Sequence, residues 1–261
     1  MPNPAGQTTT YSTAPGNEYI YANVSSGGGD ITLSNMNPIT GAGSSGGYIG
    51  VAVGSSPSLT YTTVVIDASN TVANSGGNIT INGESNTSRQ GVELDYTTLR
   101  TSGSGAINLL GKAGSGGQKG LLFYQGAVDI STENGNINLL GTALSDQGFY
   151  INNATNNYIS SVSGNITVQG MTAASGLPAL GSNGNLYIGW TGAGAGTTGN
   201  VTIQGQDAGG AAGMNLSNLF LKTDGGALTI GSTGNGLGNL TIPSGLIVDG
   251  SVESAVTIGD A

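Results

Sequence analysis

Two groups of acidic residues raise the question of acid–base chemistry. Glu93 and Asp95 form the first group, and Asp129 and Glu133 follow further along the chain. Glycoside-cleaving enzymes need two carboxyl groups, one acting as acid and the other as base or nucleophile. Glu93 stands between two apolar residues and is therefore expected to point away from the core. Its expected state is a solvated surface charge.

Other features of the sequence argue against catalysis. The expected partners of the acids are Arg89 and Arg100, in surface ion pairs. The chain contains no His that could act as a general base, and no His or Cys that could hold a transition metal. Asp207, Asp224 and Asp249 could bind calcium, yet they lie in no Asp-rich loop motif. We therefore predict that the chain is not an enzyme and carries no metal or cofactor.

Aromatic side chains are the other candidates for contact with a ligand or partner. The candidates are Tyr124, Tyr150, Tyr187 and Trp190. The pairs Phe123-Tyr124 and Phe149-Tyr150 are expected at matching places of adjacent turns of the repeat described below. Such rings either stack inward at a wide corner or form an exposed strip that contacts a carbohydrate or a protein. The sequence leaves both alternatives open.

A short motif that recurs along the chain must position these side chains. It consists of a turn pair, an apolar residue, Thr or Asn, and a second apolar residue, as in Gly135-Asn136-Ile137-Asn138-Leu139. The first apolar residue of each copy lies at positions 31, 79, 107, 137, 166, 201, 228 and 256. Alternation with period two is typical of a half-buried strand. Spacings that are mostly 27 to 30 residues indicate a stacked array.

Two further sets of short apolar segments occur in the repeat. The first set, seven or eight positions before the motif, contains Val24, Val72, Leu99, Ile130, Ile159 and Leu221. The second set is looser and comprises segments 91–94, 120–123, 148–151, 185–188 and 213–216. Three short strands per turn of about 27–30 residues predict an all-β, right-handed parallel β-helix.

The motif also predicts polar ladders along the stack. The outward ladder contains Thr80, Asn108, Asn138, Thr167, Thr202 and Thr229. Thr and Asn stack well on a pleated surface, so a structural role is expected. Ice binding is the alternative, and it requires a flat array with two Thr per strand. The corner residues, expected in left-handed turn conformations with stacked amides, are Asn78, Asn136, Asn165, Asn200 and Asn239.

The composition limits the classes of function. Only 7% of residues are charged, with 14 acidic against 5 basic, which argues against a nucleic-acid partner. No apolar run reaches the length of a membrane span. The 49 Gly fit the many turns of a solenoid, whose core is a narrow apolar column. Low charge with abundant Thr and Asn favours an extracellular or cell-surface location, as a secreted product.

The chain divides into an arm and one repeat domain. Residues 1–17 are rich in Pro and Thr and are predicted to form an extended arm or linker. Residues 18–261 are predicted to form a single β-helix, with irregular excursions near 34–76 and 171–198. The first excursion leaves two alternatives open: one turn with a long insertion, or two short turns.

The segments 91–94, 97–101 and 105–111 together carry a resemblance to a known family. Their sequences Gly-Val-Glu-Leu, Thr-Thr-Leu-Arg-Thr and Gly-Ala-Ile-Asn-Leu-Leu-Gly resemble the degenerate repeat of filamentous-haemagglutinin-like adhesins. The resemblance covers about residues 77–261, and more weakly 18–33. It implies a right-handed parallel β-helix exported as an extracellular rod, with a role in adhesion or in a biofilm matrix.

The leading hypothesis is therefore a non-enzymatic structural and adhesive module of a bacterial surface protein. Its expected partners are flanking repeats of a longer chain, itself through end-to-end stacking, or surface glycans or proteins. A self-assembling extracellular filament subunit is the alternative, because open solenoids expose strand edges that a second copy could cover. A carbohydrate-active β-helix enzyme and an ice-binding protein are further alternatives.

Overall fold

The computed structural model describes a stack of β-strands. It describes residues 9–12, 18–35, 49–54, 61–70, 75–85, 89–116, 118–191, 195–208, 212–231, 239–241, 245–250 and 256–258. The chain forms a parallel β-solenoid of about six turns, which confirms the predicted all-β parallel β-helix. The right-handed sense of the turns stays a prediction. The described residues include no helix long and apolar enough to cross a membrane.

The strands are short and evenly distributed along the chain. In chain order they are β1 (Thr9–Ser12), β2 (Glu18–Ile20), β3 (Val24–Ser25), β4 (Ile31–Asn35), β5 (Val51–Val53), β6 (Val64–Asp67), β7 (Ile79–Ser85), β8 (Val92–Leu94), β9 (Thr97–Thr101), β10 (Ile107–Ala113), β11 (Leu121–Phe123), β12 (Asp129–Thr132), β13 (Ile137–Ala143), β14 (Phe149–Ile151), β15 (Asn156–Ser161), β16 (Ile166–Thr172), β17 (Leu180–Ile188), β18 (Val201–Asp207), β19 (Ala212–Thr223), β20 (Leu228–Ile230), β21 (Asn239–Thr241), β22 (Gly245–Gly250) and β23 (Val256–Ile258).

The copies of the motif form the first sheet. Its nine strands follow the order β1-β4-β7-β10-β13-β16-β18-β20-β23, and all neighbours are parallel. Equivalent residues stand opposite each other, so Ile107 pairs with Ile79 on one side and with Ile137 on the other. All three are fully buried, because alternation turns every second residue inward. The core is therefore a column of stacked apolar side chains.

The second sheet holds the other two strand positions of each turn and contains fourteen strands. One row runs through β2, β5, β8, β11 and β14, and the other through β3, β6, β9, β12 and β15. β17 and β19 are long enough to supply both rows. Each turn thus has three strand positions, as the sequence predicts. Segment 185–188 is an exception to the predicted sets, because Ile188 pairs with Ile159 in the row of β15, while Leu180 pairs with Phe149 of β14.

The long interval between the first two copies of the motif is a single turn. Ile31 pairs directly with Ile79, while β5 and β6 occupy the other two positions of that turn. In the second row Ile66 pairs with Leu99, where the sequence pattern had suggested Val72. Val72 itself lies outside the described residues. The described strands of the excursion therefore keep the common register.

The corner asparagines link successive turns by hydrogen bonds. Asn136 Oδ1 accepts the backbone N–H of Asn165 at 2.9 Å, and Asn165 Oδ1 accepts that of Asn200 at 2.9 Å. Among the described non-glycine residues, only Tyr96 has a positive φ, at 46°. The predicted left-handed conformation of the asparagines is therefore wrong. Their side chains instead satisfy backbone donors of the next turn.

Glycines allow the chain to pass close to itself at one corner. In the long strands of the first sheet they include Gly111, Gly141 and Gly170. A Cβ on Gly141 would lie 2.1 Å from the carbonyl oxygen of Gly148, which belongs to the segment leading into β14. Only a residue without a side chain fits such a backbone contact.

The structure describes part of the predicted arm. Thr9–Ser12 is β1, which pairs in parallel with β4 and therefore belongs to the first sheet. This part of the arm is thus a strand. The other boundaries of the predicted domains stay predictions.

Candidate functional site

Glu93 and Asp95 form a buried acid pair next to the second sheet. Glu93 lies between Val92 and Leu94, which belong to the core, so it points away from the core as predicted. It is nevertheless only 4% exposed, and Asp95 is fully buried. The prediction of solvated surface charges is therefore wrong, because neighbouring segments cover this part of the strand.

The two carboxyl groups interact with each other, and their pKa values lie above the ordinary ones. Burial raises the pKa of Glu93 to about 8, the charge and hydrogen bond of Asp95 act in the same direction, and Arg89 opposes them. Burial raises the pKa of Asp95 to about 6, although the Gln125 backbone N–H donates to its Oδ1 at 2.8 Å. At neutral pH the pair therefore holds one proton and carries one negative charge.

A cleft of about 200 Å³ lies beside Glu93. Besides Glu93, its polar walls include Tyr61, Arg89, Gln90, Gln118, Tyr124 and Asn152. These residues come from four successive turns, which contain β5, β8, β11 and β14. The cleft is therefore a product of the stacking, since no single turn supplies it.

The amide of Gln90 is held at one end only. Its Nε2 donates to Gln118 Oε1 at 3.1 Å, whereas its Oε1 is buried and has no hydrogen-bond partner. If the oxygen and nitrogen of both amides were exchanged, the Gln90 nitrogen would be unpartnered instead. One end of this amide lacks a protein partner in either orientation. Asn152 is fixed differently, because its Oδ1 accepts from Asn183 at 2.9 Å.

Aromatic rings and a lysine complete the cleft. Tyr61 and Tyr124 meet edge to face with their ring centres 6.3 Å apart. Lys119 pairs with Asp146 at 2.8 Å, and its Nζ lies 5.7 Å from the centre of the Tyr150 ring. Of the predicted contact residues, Tyr124 therefore lies in the cleft and Tyr150 stands beside it, under Lys119.

Tyr187 and Trp190 lie in the other row of the second sheet, away from the cleft. Tyr187 stacks between Tyr158, with ring centres 4.9 Å apart, and Phe220, with ring centres 4.3 Å apart. Trp190 meets Tyr187 edge to face at 6.1 Å, and Lys222 Nζ lies 5.0 Å from the Trp190 ring centre. Both faces of Tyr187 are covered, so it has no free face for a sugar ring.

The register between β11 and β14 differs from the expected one. Leu122 pairs with Tyr150, so Tyr124 lies two positions further along than the residue that matches Tyr150. The expectation that the two aromatic dipeptides occupy matching places is therefore wrong. Phe123 and Phe149 still contact each other edge to face inside the core, with ring centres 4.9 Å apart.

The other acids that the sequence analysis considered do not reach the cleft. Glu133 Oε2 accepts the backbone N–H of Gly103 at 2.7 Å. Asp129 lies on β12, in the other row of the second sheet, and burial raises its pKa. Arg100 pairs with Asp67 at 2.6 Å, so it does not neutralise Glu93.

No metal centre forms in the described part of the chain. Its acidic residues nowhere come together in a group of three or more that could hold an ion. Of the three aspartates considered for calcium, Asp224 accepts the backbone N–H of Gly196 at 2.6 Å through its Oδ2. The side chains of Asp207 and Asp249 lie outside the described part of the chain.

The six residues of the predicted outward ladder lie in one row of the first sheet. In order along the stack they are Thr80, Asn108, Asn138, Thr167, Thr202 and Thr229. Asn138 Nδ2 donates to Asn108 Oδ1 at 2.8 Å. The next outward row contains Leu110, Leu140 and Gln169 where the ice-binding alternative requires a second Thr.

A larger groove of about 380 Å³ follows one edge of the first sheet. Its walls are mainly small and apolar, and include Ala143, Leu144 and Met171. It also holds the ion pair between Lys112 and Glu84, at 3.2 Å. None of its described wall residues carries a buried polar atom without a hydrogen-bond partner, in contrast to Gln90 in the smaller cleft.

The amides of the cleft were missed at the sequence level, although signals for them exist. Gln90 and Gln118 are 28 residues apart, which is one turn of the repeat. Glu93 and Asp95 are two residues apart, a spacing that turns side chains to the same side along a strand, although β8 itself ends at Leu94. The repeat pattern could not predict that these side chains are buried, because the segments that cover them do not belong to the repeat.

Comparisons of the chain with family models, with curated proteins and with solved structures found no match. The β-solenoid fold therefore stands on the structure itself. The resemblance of the repeat to filamentous-haemagglutinin-like adhesins stays a prediction.

Proposed function

We propose that the chain is a non-enzymatic structural and adhesive module of a bacterial extracellular surface protein. The observation that supports this proposal is the unbroken parallel register of the first sheet, from Ile31 to Leu228. Each turn adds one layer to the same column, so the stack behaves as a stiff rod with rows of side chains on its outside. Such a rod can hold a contact surface away from the cell.

The geometry of the acid pair supports a role other than glycoside cleavage. Hydrolysis requires two carboxyl groups about 5–9.5 Å apart, with the scissile bond between them. Asp95 is fully buried beneath the surface, so its carboxyl group cannot stand on the far side of a glycosidic bond from Glu93. Asp129 lies on β12 in the other row, and Glu133 directly follows β12, so they cannot supply the missing partner.

The partners we propose follow from the exposed surface. The outer rows consist mainly of uncharged Thr, Asn and Gln, together with aromatic side chains, which suits contact with glycans or protein surfaces. Flanking repeats of a longer chain would continue the stack at either end. The proposed location is extracellular, at the cell surface.

Adhesion of coated beads under flow tests this proposal. Fluorescent beads carrying the purified chain should be retained on epithelial monolayers more strongly than beads carrying a globular protein of similar pI. Beads carrying the Ile137→Asp variant, whose core column is broken, serve as the matched control. Equal retention of all three kinds of bead would overturn the adhesive role.

Sedimentation velocity over a concentration series, with electron micrographs of the same samples, separates the module from a filament subunit. The proposal predicts discrete particles at every concentration. Long unbranched polymers would instead support end-to-end assembly as the function.

A further inference from the structure

We propose that the cleft beside Glu93 binds one neutral sugar unit of a surface glycan. This inference rests on the proposed adhesive function and deepens it, since it names the site and the ligand class.

The buried amide of Gln90 is the feature that points to a ligand. Its side chain lines the cleft and is 7% exposed, yet Oε1 has no hydrogen-bond partner. Buried polar atoms are almost always hydrogen-bonded, because leaving one unpaired destabilises the protein. A ligand hydroxyl in the cleft would donate to this oxygen and remove the penalty.

The remaining polar groups of the cleft suit hydroxyl groups in particular. The cleft offers acceptors on Gln90 and Glu93 and donors on Arg89 and on the amide of Asn152. A hydroxyl group both donates and accepts, so a ring with several hydroxyls can engage neighbouring donors and acceptors together. Ligands with only donors or only acceptors cannot.

The charges of the site favour a neutral ligand. Arg89 stands against the negative charge that Glu93 and Asp95 share, while Lys119 is neutralised by Asp146 at 2.8 Å. An anionic ligand would meet the charge of the acid pair, and a cationic one would meet Arg89. Either would bury an ion without a dedicated partner.

The size of the cleft limits the ligand to a single ring. Its volume of about 200 Å³ is below the roughly 300–1,000 Å³ of pockets for drug-sized ligands. The rings of Tyr61 and Tyr124 supply the apolar wall against which the C–H face of a sugar packs. The rest of the glycan would extend into solvent.

Saturation-transfer difference NMR on the purified chain tests the proposal. The probes are the methyl glycosides of glucose, galactose, mannose and N-acetylglucosamine, with glucuronic acid and glucosamine as charged comparisons. We expect at least one neutral glycoside to bind with millimolar affinity, and its titration to shift the side-chain amide signals of Gln90 and Gln118. The Gln90→Leu variant should bind that glycoside about tenfold more weakly or worse.

Two further variants keep the test decisive. Gln169→Leu makes the same chemical change on the outer face of β16 and should leave the affinity unchanged. Tyr124→Ala should weaken binding even if Gln90→Leu fails to fold. The inference is overturned if no neutral glycoside binds at millimolar concentration or if only a charged sugar binds. It is also overturned if the chemical-shift changes map to the backbone amides of Tyr158 and Trp190 instead of the cleft.

The two proposals fail separately in these experiments. Beads that adhere, in the absence of any sugar binding by the chain, would retain the adhesive function and remove this site. Sugar binding without adhesion of the beads would retain the sugar site and remove the adhesive function.

Discussion

At the scale of single residues, the carboxyl of Glu18 is the least expected member of the core. It occupies the inward row that continues through Val51, Val92 and Leu121, all of which are fully buried. Glu18 is 3% exposed, and neither of its carboxyl oxygens has a hydrogen-bond partner. Burial therefore favours the protonated form and raises the pKa of Glu18 to about 7.

The sign of the resulting pH dependence follows from this shift. Below pH 4.5, the ordinary pKa of the group, the folded and unfolded states are both protonated at Glu18. As the pH rises toward about 7, the unfolded state loses the proton while the folded state keeps it. Stability therefore falls across this window and levels off above it.

The Glu18→Gln variant should remove this dependence, because the amide does not titrate. The variant should become more stable relative to the parent as the pH rises. From the acidic to the alkaline end of the window, the difference between their unfolding free energies should change by about 3 kcal/mol in favour of the variant. Urea denaturation of both proteins at the two ends measures the gain. Other titrating groups, including Glu93 and Asp95, cancel in the comparison. A difference between the proteins that is the same at both pH values would contradict the buried position.

At this scale the sequence correctly predicted the direction in which the Glu93 side chain points, but not that the side chain is buried. The alternation with period two correctly predicted that Glu93 points away from the core. It could not show that loops cover that side, because the segments around Ile49 and Tyr61 follow no period. Glu18 escaped notice for a related reason, since a charged residue at an inward position contradicts the pattern itself.

At the scale of elements, the close approach of Gly141 to Gly148 predicts that no side chain is tolerated at Gly141. In Gly141→Ala the new methyl group would stand 2.1 Å from the Gly148 carbonyl oxygen, so the two backbone segments must separate. We expect a loss of at least about 2 kcal/mol in unfolding free energy, measured by urea denaturation. Gln169→Ala, on the neighbouring strand but facing outward, should change stability by about 0.5 kcal/mol or less. Equal effects of the two substitutions would refute the close approach.

The core column of the first sheet makes a second prediction. Ile137 is fully buried between Ile107 and Ile166, so Ile137→Asp places an unpaired charge inside the stack. We expect a loss of more than about 4 kcal/mol, seen as the disappearance of a cooperative thermal transition. Asn136→Asp adds the same charge one residue away and keeps the acceptor for Asn165, so it should melt close to the parent. If Ile137→Asp melted like the parent, the inward assignment would be wrong.

The success of sequence reasoning differed between the two sheets for a physical reason. Strands of the first sheet alternate apolar and polar residues, which fixes both the face and the register, as in Ile137-Asn138-Leu139. β11 is Leu-Leu-Phe and is buried throughout, so nothing in it distinguishes inside from outside. The register of the aromatic dipeptides could not be read from such a run.

At the scale of the whole molecule, the ladders and the cleft both depend on the stacking of turns. The cleft draws its walls from four turns, and the outward ladder draws one residue from each turn. The repeat spacing predicted this stack, whereas the sites on its surface depend on the irregular segments between strands.

Distances along the outward ladder test the stacked register most directly. The chain has no native Cys, so pairs of spin labels can be introduced cleanly at Thr229 and at one of Thr32, Thr80 or Asn108. Each step along the row is one strand spacing, so electron–electron distance measurements should give backbone separations of about 29, 24 and 19 Å. A constant step of about 4.8 Å between the three pairs would confirm the solenoid and the surfaces built on it. Distances that do not grow by a constant step would contradict the account.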